Sequence, residues 1–137
     1  MSTTHADLRA ALVTLIEALT VSGDALVVSD ESDALQMYAT EWDGRHVAIA
    51  VDEAPGDEWG GVREYVVTLS AAEYRGCDEP AARSSISALA RSLRTAVLAT
   101  NALVSAEAQV IDAEVDTIAR EGDAIILRQR YQIHAVS

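Results

Sequence analysis

The stretch Ala124-Ile-Ile-Leu-Arg-Gln-Arg-Tyr-Gln-Ile-His-Ala-Val136 constrains the fold more than any other part of the chain. Leu127, Tyr131, Ile133 and Ala135 fall mostly on one parity, while Arg128, Arg130, Gln132 and His134 share the other. A period of two with one apolar side is that of a strand lying on a core, its polar side free to pair with acids on a neighbouring strand. Ahead of it, two helical runs bracket a strand-rich middle. The order helix, strands, helix, strands predicts an α/β (α+β) fold, a mainly antiparallel sheet packed by two helices. Antiparallel pairing follows from the short connections, because parallel neighbours need crossovers of a dozen residues or more.

The first helix is expected over about residues 5–20, where Leu8, Leu12, Leu15, Ile16 and Leu19 make one apolar stripe and Thr4 stands three residues before Asp7 as a variant capping box. After Gly23 comes the apolar run Ala25–Val28, then an acidic turn region and a candidate strand at Leu35–Thr40. Trp42-Asp43-Gly44-Arg45 carries an Asp-Gly turn signal, and His46–Val51 reads as the strand that follows, so the two strands would form a hairpin. Asp52–Gly61 concentrates three glycines, one proline and four acids, which predicts a long binding loop. Val62–Leu69 resumes the strand pattern and can run on toward Tyr74. Pro80, preceded by Asp78 and Glu79, suits the start of a second helix whose stripe is Ile86, Leu89, Ala90, Leu93 and Val97. Arg83 and Arg94, with Arg91 less closely, line one flank of that helix. Ala106–Val115 and Ala124–Val136 read as strands, with Asp116–Asp123 as the turn region between them.

Half of the 137 residues are apolar, enough for one domain spanning 1–137 that folds without metal or disulfide. A lone cysteine, Cys77, forms no internal bridge, and the first helix carries Asp7, Arg9 and Glu17, unlike a secretory signal. With no apolar run of the roughly 20 residues that a membrane span requires, the chain is expected to be soluble and cytoplasmic when made. Twenty-two acids oppose ten arginines, a formal net charge of −12, which argues against coating a nucleic acid. Residues 1–69 hold 13 acids and 3 arginines, residues 70–137 hold 9 acids and 7 arginines, and no acid occurs from 80 through 106. The acidic stretch from Asp24 to Glu58 is either a solvated surface or a wall facing a partner. The arginine flank likewise either snorkels over the core or docks acidic loops.

Catalytic signals are weak. His5, His46 and His134 are scattered, none at the i, i+4 spacing of a helical metal pair. Cys77 stands beside Asp78 and Glu79, the wrong company for a thiolate. Asp52–Glu53 and Asp57–Glu58 are adjacent pairs rather than carboxylates held across a cleft, and the glycines at 56, 60 and 61 do not form a phosphate cradle. No enzyme, metal or cofactor is expected. Trp42 and Trp59 sit in acidic, polar stretches, either as lids on the sheet or as interface anchors.

The opening helix Leu8-Arg-Ala-Ala-Leu-Val-Thr-Leu-Ile-Glu-Ala-Leu19, the strand Arg63-Glu-Tyr-Val-Val-Thr-Leu69 after a Gly-rich acidic stretch, the helix Ala81–Val97 followed by Asn101-Ala-Leu103, and the closing strand Leu127–Val136 together carry a resemblance over nearly the whole chain. The chain resembles the tail terminator (tail completion, minor tail) proteins of long-tailed bacteriophages and related prophage or gene-transfer particles. That resemblance is one of layout, without an invariant motif, and the acidic Leu35–Val51 region departs from it. It implies an α/β sandwich that assembles with itself into a ring, commonly a hexamer, at the head-proximal end of the tail tube. The implied partners are the tail tube protein and the head-tail connector protein, with host cytoplasm as the place of assembly and the virion tail as the destination. DNA would pass through the ring without being bound specifically, and no membrane is involved. Interface residues expected on this reading are Pro55, Asp57, Glu58 and Trp59 in the acidic stretch, and Arg83, Arg91 and Arg94 on the second helix. The alternatives are another tail or connector component, or a small acidic ligand-binding or inhibitor domain.

Overall fold

A computed structural model describes residues 5–21, 23–29, 43–59, 62–74, 78–99 and 102–136. The expectations placed on Thr4, on a Leu35–Thr40 strand and its hairpin, on Trp42 and on Cys77 fall outside them. The protein is mixed α/β, with two helices and a mostly antiparallel sheet. Helix α1 (His5–Glu17) is followed by three two-residue strands, β1 (Thr20–Val21), β2 (Asp24–Ala25) and β3 (Val27–Val28). The long strands β4 (Asp43–Trp59) and β5 (Val62–Tyr74) come next, then α2 (Glu79–Val97). A 3₁₀ turn (Val104–Ala106) intervenes before β6 (Ala108–Ala113), β7 (Thr117–Glu121) and β8 (Ala124–Val136). β1 and β2 form a ribbon of their own, and the main sheet runs β3-β4-β5-β8-β6, with β7 also on β8. Among the described strands only the β3–β4 pair is parallel.

The last strand in sequence therefore lies inside the sheet, paired with β5 from Val62↔Val136 to Tyr74↔Ala124 on one side and with β6 and β7 on the other. Its alternation sets the core. Leu127, Tyr131, Ile133 and Ala135 pack with Val47, Ile49 and Val51 of β4 and with Tyr65, Val67 and Leu69 of β5. Onto that face the helices lay the stripes read from the sequence, Leu8, Leu12 and Ile16 from α1 and Ile86, Leu89, Ala90, Leu93 and Val97 from α2. Each large aliphatic side chain so removed from water contributes about 1.5–3 kcal/mol. Ala48, Ala72, Ala124 and Ile126, at the opposite parity, form a small second cluster.

α2 begins where its residues predict. The Asp78 carboxylate caps it by accepting from the Ala81 amide at 3.1 Å, and Pro80 occupies the first turn, where no intrahelical donor is lost. α1 ends at Glu17 rather than near residue 20, because Thr20 and Val21 pair with Ala25 and Asp24 around Gly23 at φ +85°.

Three local readings need correction, each because a cross-strand ladder prevails over turn-forming residues. Asp43-Gly44 is not a turn but the start of β4, where Asp43↔Glu73 and Val47↔Ala71 enclose a bulge. Asp52–Trp59 is not part of a long loop, since β4 stays in the sheet as far as Trp59↔Val62, and Gly60 and Gly61 lie outside the described residues. Between Glu53↔Tyr65 and Glu58↔Arg63 the register slips, and Pro55 and Gly56 sit in that irregular step, where a missing donor or missing side chain costs the ladder least. Asp116–Asp123 is not merely a turn either. Thr117–Glu121 is β7, joined to β8 by Gly122 and Asp123, with Gly122 at φ +61° supplying the left-handed residue of a tight hairpin.

Candidate functional site

The residues of the acidic stretch singled out from the sequence, Pro55, Asp57, Glu58 and Trp59, lie on the distal end of β4; their backbone belongs to the sheet and their side chains fall outside the described ones. The three arginines of α2 separate. Arg83 makes an exposed i, i+4 contact with Glu79 at 3.4 Å, of the kind that contributes little. Arg94 is half-buried and turned inward, its Nη1 donating to Asp116 Oδ1 at 2.7 Å and to the Glu114 carbonyl at 3.1 Å. Arg91 is exposed and has no ion pair among the described residues. So the flank is not one docking row: Arg94 fastens α2 to the sheet edge, and Arg91 faces solvent.

Arg94 belongs to a polar chain that periodicity alone did not disclose. Gln129, fully buried, donates from Nε2 to the Ala90 carbonyl of α2 at 2.8 Å and accepts at Oε1 from the Tyr131 hydroxyl at 3.0 Å. Tyr131 is itself 1% exposed and lies within the influence of the Arg94–Asp116 pair. A glutamine on the apolar parity of β8 was the available signal, because a buried amide must find partners. Burial first, and the Asp116 charge second, push the Tyr131 hydroxyl up to about 12 against the pull of Arg94. At neutral pH this phenol is a hydrogen-bond donor held protonated.

Because the folded pKa is raised, the contribution of Tyr131 is complete below the ordinary tyrosine value near 10 and is lost as pH climbs toward 12. Between pH 8 and pH 11 the urea stability of the parent is expected to fall by about 1 kcal/mol more than that of Tyr131→Phe. Equal losses in the two proteins would show that this hydroxyl is not the group responsible.

The remaining charged residues of β8 are occupied by near neighbours. Arg128 Nη1 meets Glu121 Oε2 at 2.8 Å, Arg130 reaches Glu114 at 3.7 Å, and His134 faces Glu64 at 3.9 Å directly across the β5–β8 ladder. His5 Nε2 bonds the Val51 carbonyl and ties the first turn of α1 to β4. Among the described residues, no group of three or more His, Cys, Asp or Glu converges as a metal site would, and no helix is long and apolar enough to cross a membrane. Chemically, this arrangement binds element to element; its strongest contacts are internal. No family model and no curated protein matches the chain.

Proposed function

We propose that this protein is a structural subunit of a long-tailed phage or related particle, one that assembles into a ring on the head-proximal end of the tail tube, stops tube growth and joins the tail to the head connector. The observation that carries this reading is the asymmetry of charge. Acid crowds residues 24–58, α2 has no acid after Glu79, and the whole chain stands at −12. A head-to-tail ring requires two unlike, complementary surfaces on each protomer, and opposite signs on separate elements meet that requirement. An acidic ring also suits DNA transit, since phosphate is not held by the wall. The layout, with both helices on one face of a mostly antiparallel sheet, agrees with the family resemblance of the sequence.

The test is direct. Purified protein should form rings visible by negative-stain electron microscopy and, added to polymerising tube protein, should halt elongation at a defined length. Replacing Trp59 with alanine is expected to abolish capping while leaving the monomer folded by circular dichroism. Tubes that lengthen equally with and without the parent protein would refute the reading. Tight, salt-sensitive binding to a basic protein in the absence of rings would favour an acidic inhibitor instead, a possibility raised by the net charge alone.

A further inference from the structure

Resting on the ring reading, we infer that the subunit contact is made by the bulged edge of the sheet, residues 107–115 of one copy, seated on the outward stripe of α2 in the next. Among the described residues five large apolar side chains are exposed, and four of them, Leu98, Val104, Ile111 and Val115, fall between positions 98 and 115. The two on the sheet edge stand at irregularities. Ile111 is the extra residue between Val110↔Ile133 and Asp112↔Gln132, and Val115 is the middle of three residues set against two between Ala113↔Tyr131 and Thr117↔Arg128. Bulges of this kind spoil an edge for strand addition and re-aim side chains, so the edge is unsuited to extending the sheet and suited to presenting knobs.

Val115, 88% exposed, is held firmly in that position. On one side the Glu114 amide donates to the Arg130 carbonyl at 3.0 Å; on the other Arg94 grips the Glu114 carbonyl and the Asp116 carboxylate. A fixed apolar side chain in water with both neighbours anchored loses little conformational entropy when covered.

The receiving surface is on α2. Ala81, Ser84, Ala88, Arg91 and Thr95 recur at helical spacing on the side opposite the buried stripe, and all but the half-buried Ala88 are exposed. An outward helix face is ordinarily crowded with long charged side chains, whereas here small residues leave room for a knob beside one exposed cation. Charge selects the occupant. Glu107 and Asp112 are exposed on the edge segment, without an ion pair among the described residues, and Arg91 is the matching charge on the helix. Within one protomer Arg91 makes no ion pair among the described residues, which leaves the match to be satisfied between copies, head to tail, as a ring demands.

The experiment compares the parent with Val115→Glu, Arg91→Glu, Asp112→Arg and the double variant Arg91→Glu/Asp112→Arg by light scattering over a concentration series, with thermal melts as a check on folding. Val115→Glu is expected to weaken self-association by about tenfold or more, as loss of a central apolar anchor does, with an unchanged melt. Each charge reversal should weaken it less and in a salt-dependent way, and the double reversal should recover most of the loss. A parent that assembles while Val115→Glu and Arg91→Glu assemble equally well overturns this contact and leaves the ring reading standing. A double variant no better than the single ones also overturns it. A parent that stays monomeric throughout overturns both the contact and the ring.

Discussion

Replacing Tyr131 with alanine should cost about 3–5 kcal/mol, the range for emptying a buried aromatic site, and replacing it with phenylalanine only about 1 kcal/mol. The contrast separates what the ring does from what the hydroxyl does. The aromatic body is buried in the core cluster to which β8 and α2 both contribute, so its removal leaves a cavity among side chains that are themselves nearly or fully buried. The hydroxyl supplies Gln129 Oε1 with a donor; without it the amide keeps its bond to the Ala90 carbonyl and loses one of its partners. Urea titrations of the two variants measure both numbers. A phenylalanine cost as large as that of alanine would mean that the polar chain, rather than the packing, holds α2 to the sheet.

Arg94→Glu should destabilise the fold by about 2–3 kcal/mol, because it sets a second carboxylate against Asp116 where a close ion pair stood and leaves a partly buried charge uncompensated. Arg91→Glu, three residues earlier and exposed, should stay within about 0.5 kcal/mol of the parent. Asp116→Arg combined with Arg94→Glu should recover part of the loss. If Arg94→Glu melts like the parent, the 2.7 Å pair contributes nothing in solution and α2 is retained by its apolar stripe alone. The comparison also guards the assembly experiments, since a loss of association in an Arg94 variant reports on folding before it reports on contact.

Periodicity carried most of the fold. The α2 stripe, the capping environment around Asp78 and Pro80, the Val62–Tyr74 strand and the full extent of β8 were legible because each rests on a regular repeat or a local hydrogen bond. What local chemistry misread were the places where turn-forming residues occur inside a ladder. Asp43-Gly44, Pro55-Gly56 and the polar run from Asp116 look like breaks in isolation, yet they lie in or beside strands kept in place by pairing with β5 or β8. The same limit applies to the arginines of α2. Spacing puts Arg83 and Arg94 on one flank, but only the position of the 114–116 bulge decides that Arg94 turns inward while Arg91 remains in water. Gln129 was visible as a polar residue on an apolar parity; its partners on α2 and within β8 were not.

The interior position of β8 bears on how this protein reaches its fold. β5 finds its second neighbour only when residues 124–136 arrive, and every β5–β8 pair closes a separation of between 50 and 74 positions. Long-range strand pairing of this kind makes folding slow, whereas α2, lying between the two strands in sequence, can gather its local contacts early. Until β8 inserts, the hairpin of β4 and β5 presents thirteen residues of unsatisfied edge, Val67 and Leu69 among them. The interval before closure is thus when chains are most able to join each other wrongly, and the net repulsion of a −12 chain acts against that through the same interval.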